Sequence, residues 1–176
     1  MPHTAGLYSP VLKQLLIWNL PKREDMARTI QHEGFHQYLD RAMDDPPVWF
    51  NEGMAEYWET AQREDGVLQG GQVRKDHIAT LLRSRRQVLP LQQFVYGARA
   101  DFYRFAQLRY AQGWALVHFL RKGPPANQKL FKALWDALRQ RDLSCKAALD
   151  RAFAGVDWKK FDADFWTYVA TLAEQK

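Results

Sequence analysis

The sequence predicts one mainly α-helical domain with, at most, a small strand or remnant sheet at its front. Three observations predict it. Apolar side chains recur at three- and four-residue spacing through most of the chain, as at Leu130, Leu134 and Leu138. Breaks such as Asp44-Asp45-Pro46-Pro47 and Gly123-Pro124-Pro125 cut that pattern into helix-sized pieces. At 176 residues, 47% hydrophobic and 26% charged, the chain is too apolar for disorder and long enough to bury one core. Residues 1–176 are therefore expected to form a single domain.

At the front, Val11 to Trp18 is a short apolar run after Gly6-Leu-Tyr-Ser-Pro, and its Val, Ile and Trp content favours a strand over a helix. Such a strand needs a partner from upstream sequence, a second chain or a bound peptide. A first helix should open near Pro21, with Glu24 and Asp25 against the positive end of its dipole. Ala27, Ile30, Phe35, Tyr38, Leu39 and Ala42 lie on more than one face of it, which predicts a central, largely covered helix ending at Asp44 to Pro47. A second, Val48 to Ala61, carries Trp49, Phe50, Met54, Tyr57 and Trp58 towards the first.

Arg63 to Gly71 reads as a mobile loop, followed by helices over 72–86, 91–96 and a long one over 100–122. Three more helices follow Gly123. They are marked by Leu130, Leu134 and Leu138, by Leu143, Ala147 and Phe153, and by Phe161, Phe165, Tyr168, Val169 and Leu172. Asp142 and Asp157 are placed as N-caps of the last two.

The net charge of +5 raises the question of nucleic acid, but the basic residues are interleaved with acids, as in Lys22-Arg23-Glu24-Asp25. No basic run or aromatic–basic signature accompanies them, so a solvated basic surface is the expectation and no nucleic-acid partner is implied. The single cysteine, Cys145, rules out an intrachain disulfide or a cysteine metal cluster and reads as a buried apolar thiol. No stretch has the length of a membrane span, and Met1-Pro2-His3-Thr4 lacks the regions of a signal peptide, so the chain as written is expected to be soluble.

The chemistry-bearing stretch is His32-Glu33-Gly34-Phe35-His36, with fifteen residues between His36 and Glu52. Two histidines four apart on a helix share a face and can reach one small cation. A catalytic zinc takes a third protein ligand, often a carboxylate beside two histidines, and keeps an open position for water. Glu52, on a second helix after a turn, is placed to supply it. Glu33, next to the first ligand, is placed to take a proton from that water.

These segments resemble a known family. His32-Glu33-x-x-His36 with Asn51-Glu52-Gly53-x-Ala55 is similar to the gluzincin metallopeptidases, and Trp49 to Ala55 is particularly similar to the aminopeptidase N group. The overall likeness is to peptidase-MA-like bacterial domains, in which a later Tyr-x-x-Gly-x-x-Leu helix corresponds here to Tyr110 through Leu120. The resemblance implies a zincin-like fold and one Zn2+ per chain held by His32, His36 and Glu52. It further implies Glu33 as general base and Tyr110 facing the developing oxyanion. Glu56 matches an acid behind the ligands, expected to accept a hydrogen bond from the free nitrogen of His32 or His36. No Gly-Ala-Met-Glu-Asn segment is present, so aminopeptidase specificity is not implied. The upstream sheet typical of gluzincins is nearly absent, so by this resemblance the chain is expected to be a catalytic subdomain of a longer protein. The likeness leans towards an exported bacterial protein whose signal segment lies outside the chain.

The implied function is zinc-dependent hydrolysis of peptide bonds in a peptide or protein substrate. Against it stand a metallopeptidase-like helical binding module without turnover and a metal-free structural helical domain. A tyrosine on an apolar helix is by itself more often core than catalytic. The 12–18 strand is either an edge that pairs with substrate backbone or an ordinary packed strand. His118 is expected as a hydrogen-bonded core residue, and His3 and His77 as surface residues.

Overall fold

The helices form where the apolar spacing places them, and prolines and glycines set their ends. In the computed structural model, which describes residues 5–175, α1 spans Arg23–Ala42 and α2 Val48–Glu59, with Pro47 opening the second. A short α3 (Lys75–Arg83) runs into a 3-10 turn at Arg85–Gln87, and α4 covers Leu91–Val95. The later elements are α5 (Arg99–Arg104), α6 (Ala106–Lys122), α7 (Pro125–Leu138), α8 (Cys145–Ala152) and α9 (Trp158–Glu174). His3 lies outside the described residues.

The core is built around α2 and α6. From Val48 to Tyr57 only Asn51 is not buried, and α6 is buried continuously from Ala111 to Leu120. Such a close crossing needs small residues where the backbones meet. A Cβ on Gly53 would stand 2.5 Å from the carbonyl oxygen of Gly113, and one on Gly113 would stand 3.0 Å from that of Trp49. On the other side of α6, Phe119 packs against Phe161, Phe165 and Tyr168 of α9.

The expectation for α1 was wrong in one respect. Only Leu39 of this helix is fully buried, while Ile30 and Tyr38 are 44% and 53% exposed. Its apolar residues are spread round the helix because one face meets α2 and another lines a surface groove, not because neighbours enclose it.

At the front, β1 (Gly6–Ser9) and β2 (Gln14–Ile17) form an antiparallel hairpin with Tyr8 opposite Leu15. The partner of the expected strand is thus its own preceding segment rather than upstream sequence, a second chain or a peptide. Val11 to Lys13 turn the corner, with Lys13 at φ 53°. A second hairpin, β3 (Gln62–Glu64) with β4 (Val67–Gln69), replaces the expected loop. Asp65-Gly66 sits at its tip with both residues at positive φ, the requirement of a tight two-residue turn.

Two further expectations are corrected. The helix read over 100–122 breaks at Phe105 (φ −126°, ψ 48°), so α5 ends at Arg104 and α6 starts anew at Ala106. Ser144, not Asp142, caps α8 by accepting from the Ala147 N–H; Asp157 does cap α9 through the Lys160 N–H. Cys145 is half-buried, and burial raises its thiol pKa, as suits an unreactive side chain. Among the described residues no helix is long and apolar enough to cross a membrane.

His118 is buried on α6 as expected, between the Gly71 carbonyl (3.1 Å from Nε2) and the Tyr168 hydroxyl (2.8 Å from Nδ1). A carbonyl only accepts, so Nε2 carries the proton and Nδ1 accepts from Tyr168. Burial pushes this histidine down to about 4. Between that value and 6.5 the unfolded chain binds the extra proton, so stability is full above 6.5 and is lost as pH falls towards 4. Melting of wild type and His118→Gln from pH 7 to 4 is expected to show a shallower acid decline in the variant, by up to about 3 kcal/mol. At the helix crossing, Gly53→Ala should cost about 3 kcal/mol in denaturant unfolding. Gly34→Ala, where a Cβ meets nothing within 4 Å, should cost nothing.

Candidate metal centre

One turn of α1 separates His32 and His36, whose rings meet edge-on with centroids 4.8 Å apart. From α2, Glu52 enters between them, 6% exposed. Its Oε1 accepts a hydrogen bond from the Tyr103 hydroxyl at 2.7 Å. Its Oε2 is sealed from solvent and has no hydrogen-bond partner. That orphaned oxygen lies 3.7 Å from His32 Nε2 and 3.5 Å from His36 Nε2.

Two ligand atoms each about 2.0–2.1 Å from a tetrahedral zinc stand roughly 3.3–3.4 Å apart. The two separations from Glu52 Oε2 are within a few tenths of an ångström of that edge, and all three atoms lie within 4.8 Å of one another. A buried carboxylate oxygen with no donor is costly unless a cation meets it, so the donor set fits a divalent ion such as zinc.

The outer ring nitrogens are engaged elsewhere, which leaves both Nε2 atoms facing Glu52. His36 Nδ1 donates to the Asn51 Oδ1 at 2.9 Å. His32 Nδ1 donates to Glu59 Oε2 at 3.2 Å. Burial alone would lower the pKa of His32, but Glu52 and Glu59 outweigh it and raise it to about 10. Burial likewise would raise Glu52, yet His32 and His36 hold it well below the usual carboxylate range. The site is therefore electrostatically one unit: a buried negative charge that demands positive charge on its histidine side.

Glu56 departs from its expected contact. Its Oε1 is 3.9 Å from His32 Nδ1, beyond hydrogen-bonding reach, while its Oε2 takes bonds from Arg74 (2.9 Å) and His77 (2.7 Å). Arg74 also reaches Glu59 at 3.3 Å and so ties the two acids together. Asp76, Glu56 and Glu59 keep Arg74 firmly protonated despite burial. His77, expected on the surface, is instead tucked against Trp114 with its side chain 12% exposed, because Glu56 draws it inward.

Glu33 faces the N-terminal hairpin, where its Oε2 accepts the Tyr8 backbone N–H at 2.8 Å. The hairpin is fastened in turn by Asp40, one face along α1, which accepts the Tyr8 hydroxyl and the Lys13 ammonium at 2.6 Å each. Tyr110 on α6 has its ring 6.5 Å from that of His32. Burial first, then the charge of Glu52, raises the phenols of both Tyr103 and Tyr110 far above 10, so both are O–H donors at neutral pH. A cleft of about 490 Å³ opens over these groups, lined by Gly6, Tyr8, Glu33, Glu52, Tyr103 and Tyr110 among others.

All six residues singled out by sequence thus lie in one neighbourhood. Four contributors were missed. Tyr103 was concealed by the helix break at Phe105. Glu59 had a readable signal, since it follows Glu52 by seven residues on one face of α2. Arg74 carries no motif, and Tyr8 contributes through its backbone.

Residues 26–142 match the model of a family described as proteins of unknown function, DUF1570. The chain belongs to that family. The matched segment contains every side chain of the candidate centre but stops short of β1 and β2 at one end and α8 and α9 at the other. No curated protein and no solved structure matches the chain.

The contact geometry separates the two acids behind the ligands. Glu59→Gln is expected to weaken zinc affinity by about 10- to 100-fold in chelator competition, whereas Glu56→Gln should change it several-fold less.

Proposed function

We propose that this chain is a zinc-dependent metallopeptidase of the gluzincin type, hydrolysing peptide bonds in an extended substrate. The observation that carries the reading is the buried Glu52 Oε2, without a donor, between the Nε2 atoms of His32 and His36. Glu33 beside them in an open cleft supports hydrolysis over a purely structural metal, since structural sites are closed by a fourth protein ligand.

In this reading His32, His36 and Glu52 hold the ion. Bound zinc supplies an acidified water and polarises the scissile carbonyl. Glu33 takes the proton of that water and passes it to the leaving amine. The Tyr8 N–H engages Oε2 of Glu33 and so turns the carboxylate, leaving Oε1 to handle the proton. Tyr110 donates its O–H to the carbonyl oxygen as negative charge grows there, and its raised pKa keeps that proton available. Tyr103 holds Glu52 Oε1, which leaves Oε2 as the ligand atom.

The resemblance also implies that substrate backbone joins an edge strand. Here that edge belongs to β1 rather than to the 12–18 segment. One side of β1 is paired with β2, and Gly6, Leu7 and Tyr8 line the cleft on the other. The zincin-like classification rests on the same arrangement: two helices bearing the ligands, and a strand edge beside the first.

Elemental analysis after exhaustive dialysis is expected to find about one zinc per chain in wild type and little in Glu52→Ala. Hydrolysis of a quenched-fluorescent peptide library should follow the metal. Glu33→Gln should retain zinc and lose turnover, and Tyr110→Phe should slow it on the order of a hundredfold. Zinc retained by wild type with no difference between it and Glu33→Gln would move the assignment to a binding module. Absence of zinc from folded wild type would end the metallopeptidase reading.

A further inference from the structure

A second concavity, of about 480 Å³, lies between α1, α2, α6 and α7 and shares no residue with the metal centre. Its walls are aromatic. Phe35 of α1 stacks with Trp58 of α2 at 6.0 Å and 15°, and Tyr38 of α1 with Trp135 of α7 at 6.4 Å and 20°. Met54 and Phe131 complete an apolar lining. A concavity of this volume, lined by apolar and aromatic side chains with a few polar groups, has the usual form of a small-molecule site.

Two cations stand in this groove, and they differ. Lys132 is paired with Asp136 one turn along α7. Arg121 has no carboxylate within 4 Å and no hydrogen bond among the described residues. Its guanidinium carbon lies 4.5 Å from the ring centroid of Tyr57, 5.2 Å from Phe131 and 5.4 Å from Trp58. Three rings thus fix the fork in place with its N–H groups unspent, and none of its nitrogens is among the atoms sealed from solvent. Such a pre-oriented, half-buried guanidinium is suited to grip a carboxylate through two parallel bonds.

The lining also decides what body the anion carries. The walls are side chains projecting from helices whose backbone groups are already bonded within those helices, and the Tyr38 hydroxyl is one of few polar atoms beside the two cations. A peptide laid here would lose water from its amides without finding partners for them. A hydrocarbon chain has no such groups to satisfy and gains from every ring it covers. We propose that the groove binds a medium-chain fatty carboxylate, its headgroup on Arg121 and its chain laid over the Phe35–Trp58 and Tyr38–Trp135 pairs.

Decanoate, below its micelle concentration, is the probe. Isothermal titration and tryptophan fluorescence should report saturable one-to-one binding, at least tenfold tighter than that of decyltrimethylammonium, which carries the same chain length on a cation. Arg121→Gln should lower decanoate affinity at least tenfold. Glu52→Ala should leave it unchanged, which keeps any carboxylate held at the metal centre out of the signal. Equal affinity for the two headgroups, or none for decanoate, would overturn the proposal. Tighter binding of acetyl-Leu-Phe-Leu than of decanoate would overturn it in favour of a peptide C-terminus. The headgroup comparison repeated on wild type stripped of metal by a chelator decides the matter even where Arg121→Gln fails to fold.

Discussion

The close crossing of α2 and α6 is the constraint on which the rest depends. With glycine at 53 and 113 the two backbones approach until a single Cβ would collide with a carbonyl. That approach places Glu52 and Tyr110, 58 residues apart in sequence on different helices, over the same small volume. A wider crossing, of the kind any side chain at position 53 would impose, would carry Tyr110 away from the histidines of α1. The buried run on each helix is therefore part of the site's geometry as well as the source of its stability.

Electrostatics then gives that volume its character. Burying Glu52 is unfavourable unless positive charge meets it, and the surroundings are arranged for this: imidazoles on one oxygen, a phenol on the other. Behind them the charges alternate outward from His32 to Glu59, Arg74 and Glu56, and the His77 ring meets the same Glu56 oxygen as Arg74. Each member is satisfied by the next, which is the condition under which a buried polar network orders a site instead of loosening it. The hairpin adds a different kind of support, since it reaches Glu33 through a backbone N–H and is itself anchored to α1 by Asp40.

Much of this was legible in the sequence, for particular reasons. The helix ends at Pro46-Pro47 and Gly123-Pro124 follow from a missing N–H and a fixed φ, which act locally and need no tertiary context. The spacing of His32, Glu33 and His36 is likewise a property of one helix. Less legible were features whose signal was short or split. The Asp65-Gly66 turn was written in the chain, but its three-residue strands are exposed throughout and show no apolar alternation. The break at Phe105 falls inside a stretch with continuous helical propensity, so only packing reveals it.

By itself the sequence determined that the chain is mainly helical and where most helices begin and end. It also put two imidazoles on one face of a single helix, within reach of one ion. These depend on residue type at short separation, where the backbone's own geometry sets the outcome. Tertiary structure alone decided which acid supports His32, that Tyr103 holds Glu52 Oε1, and that a main-chain N–H orients Glu33. Those choices depend on which side chains meet across 25 to 51 residues of intervening chain, and distances between helices are a product of packing that no local pattern encodes.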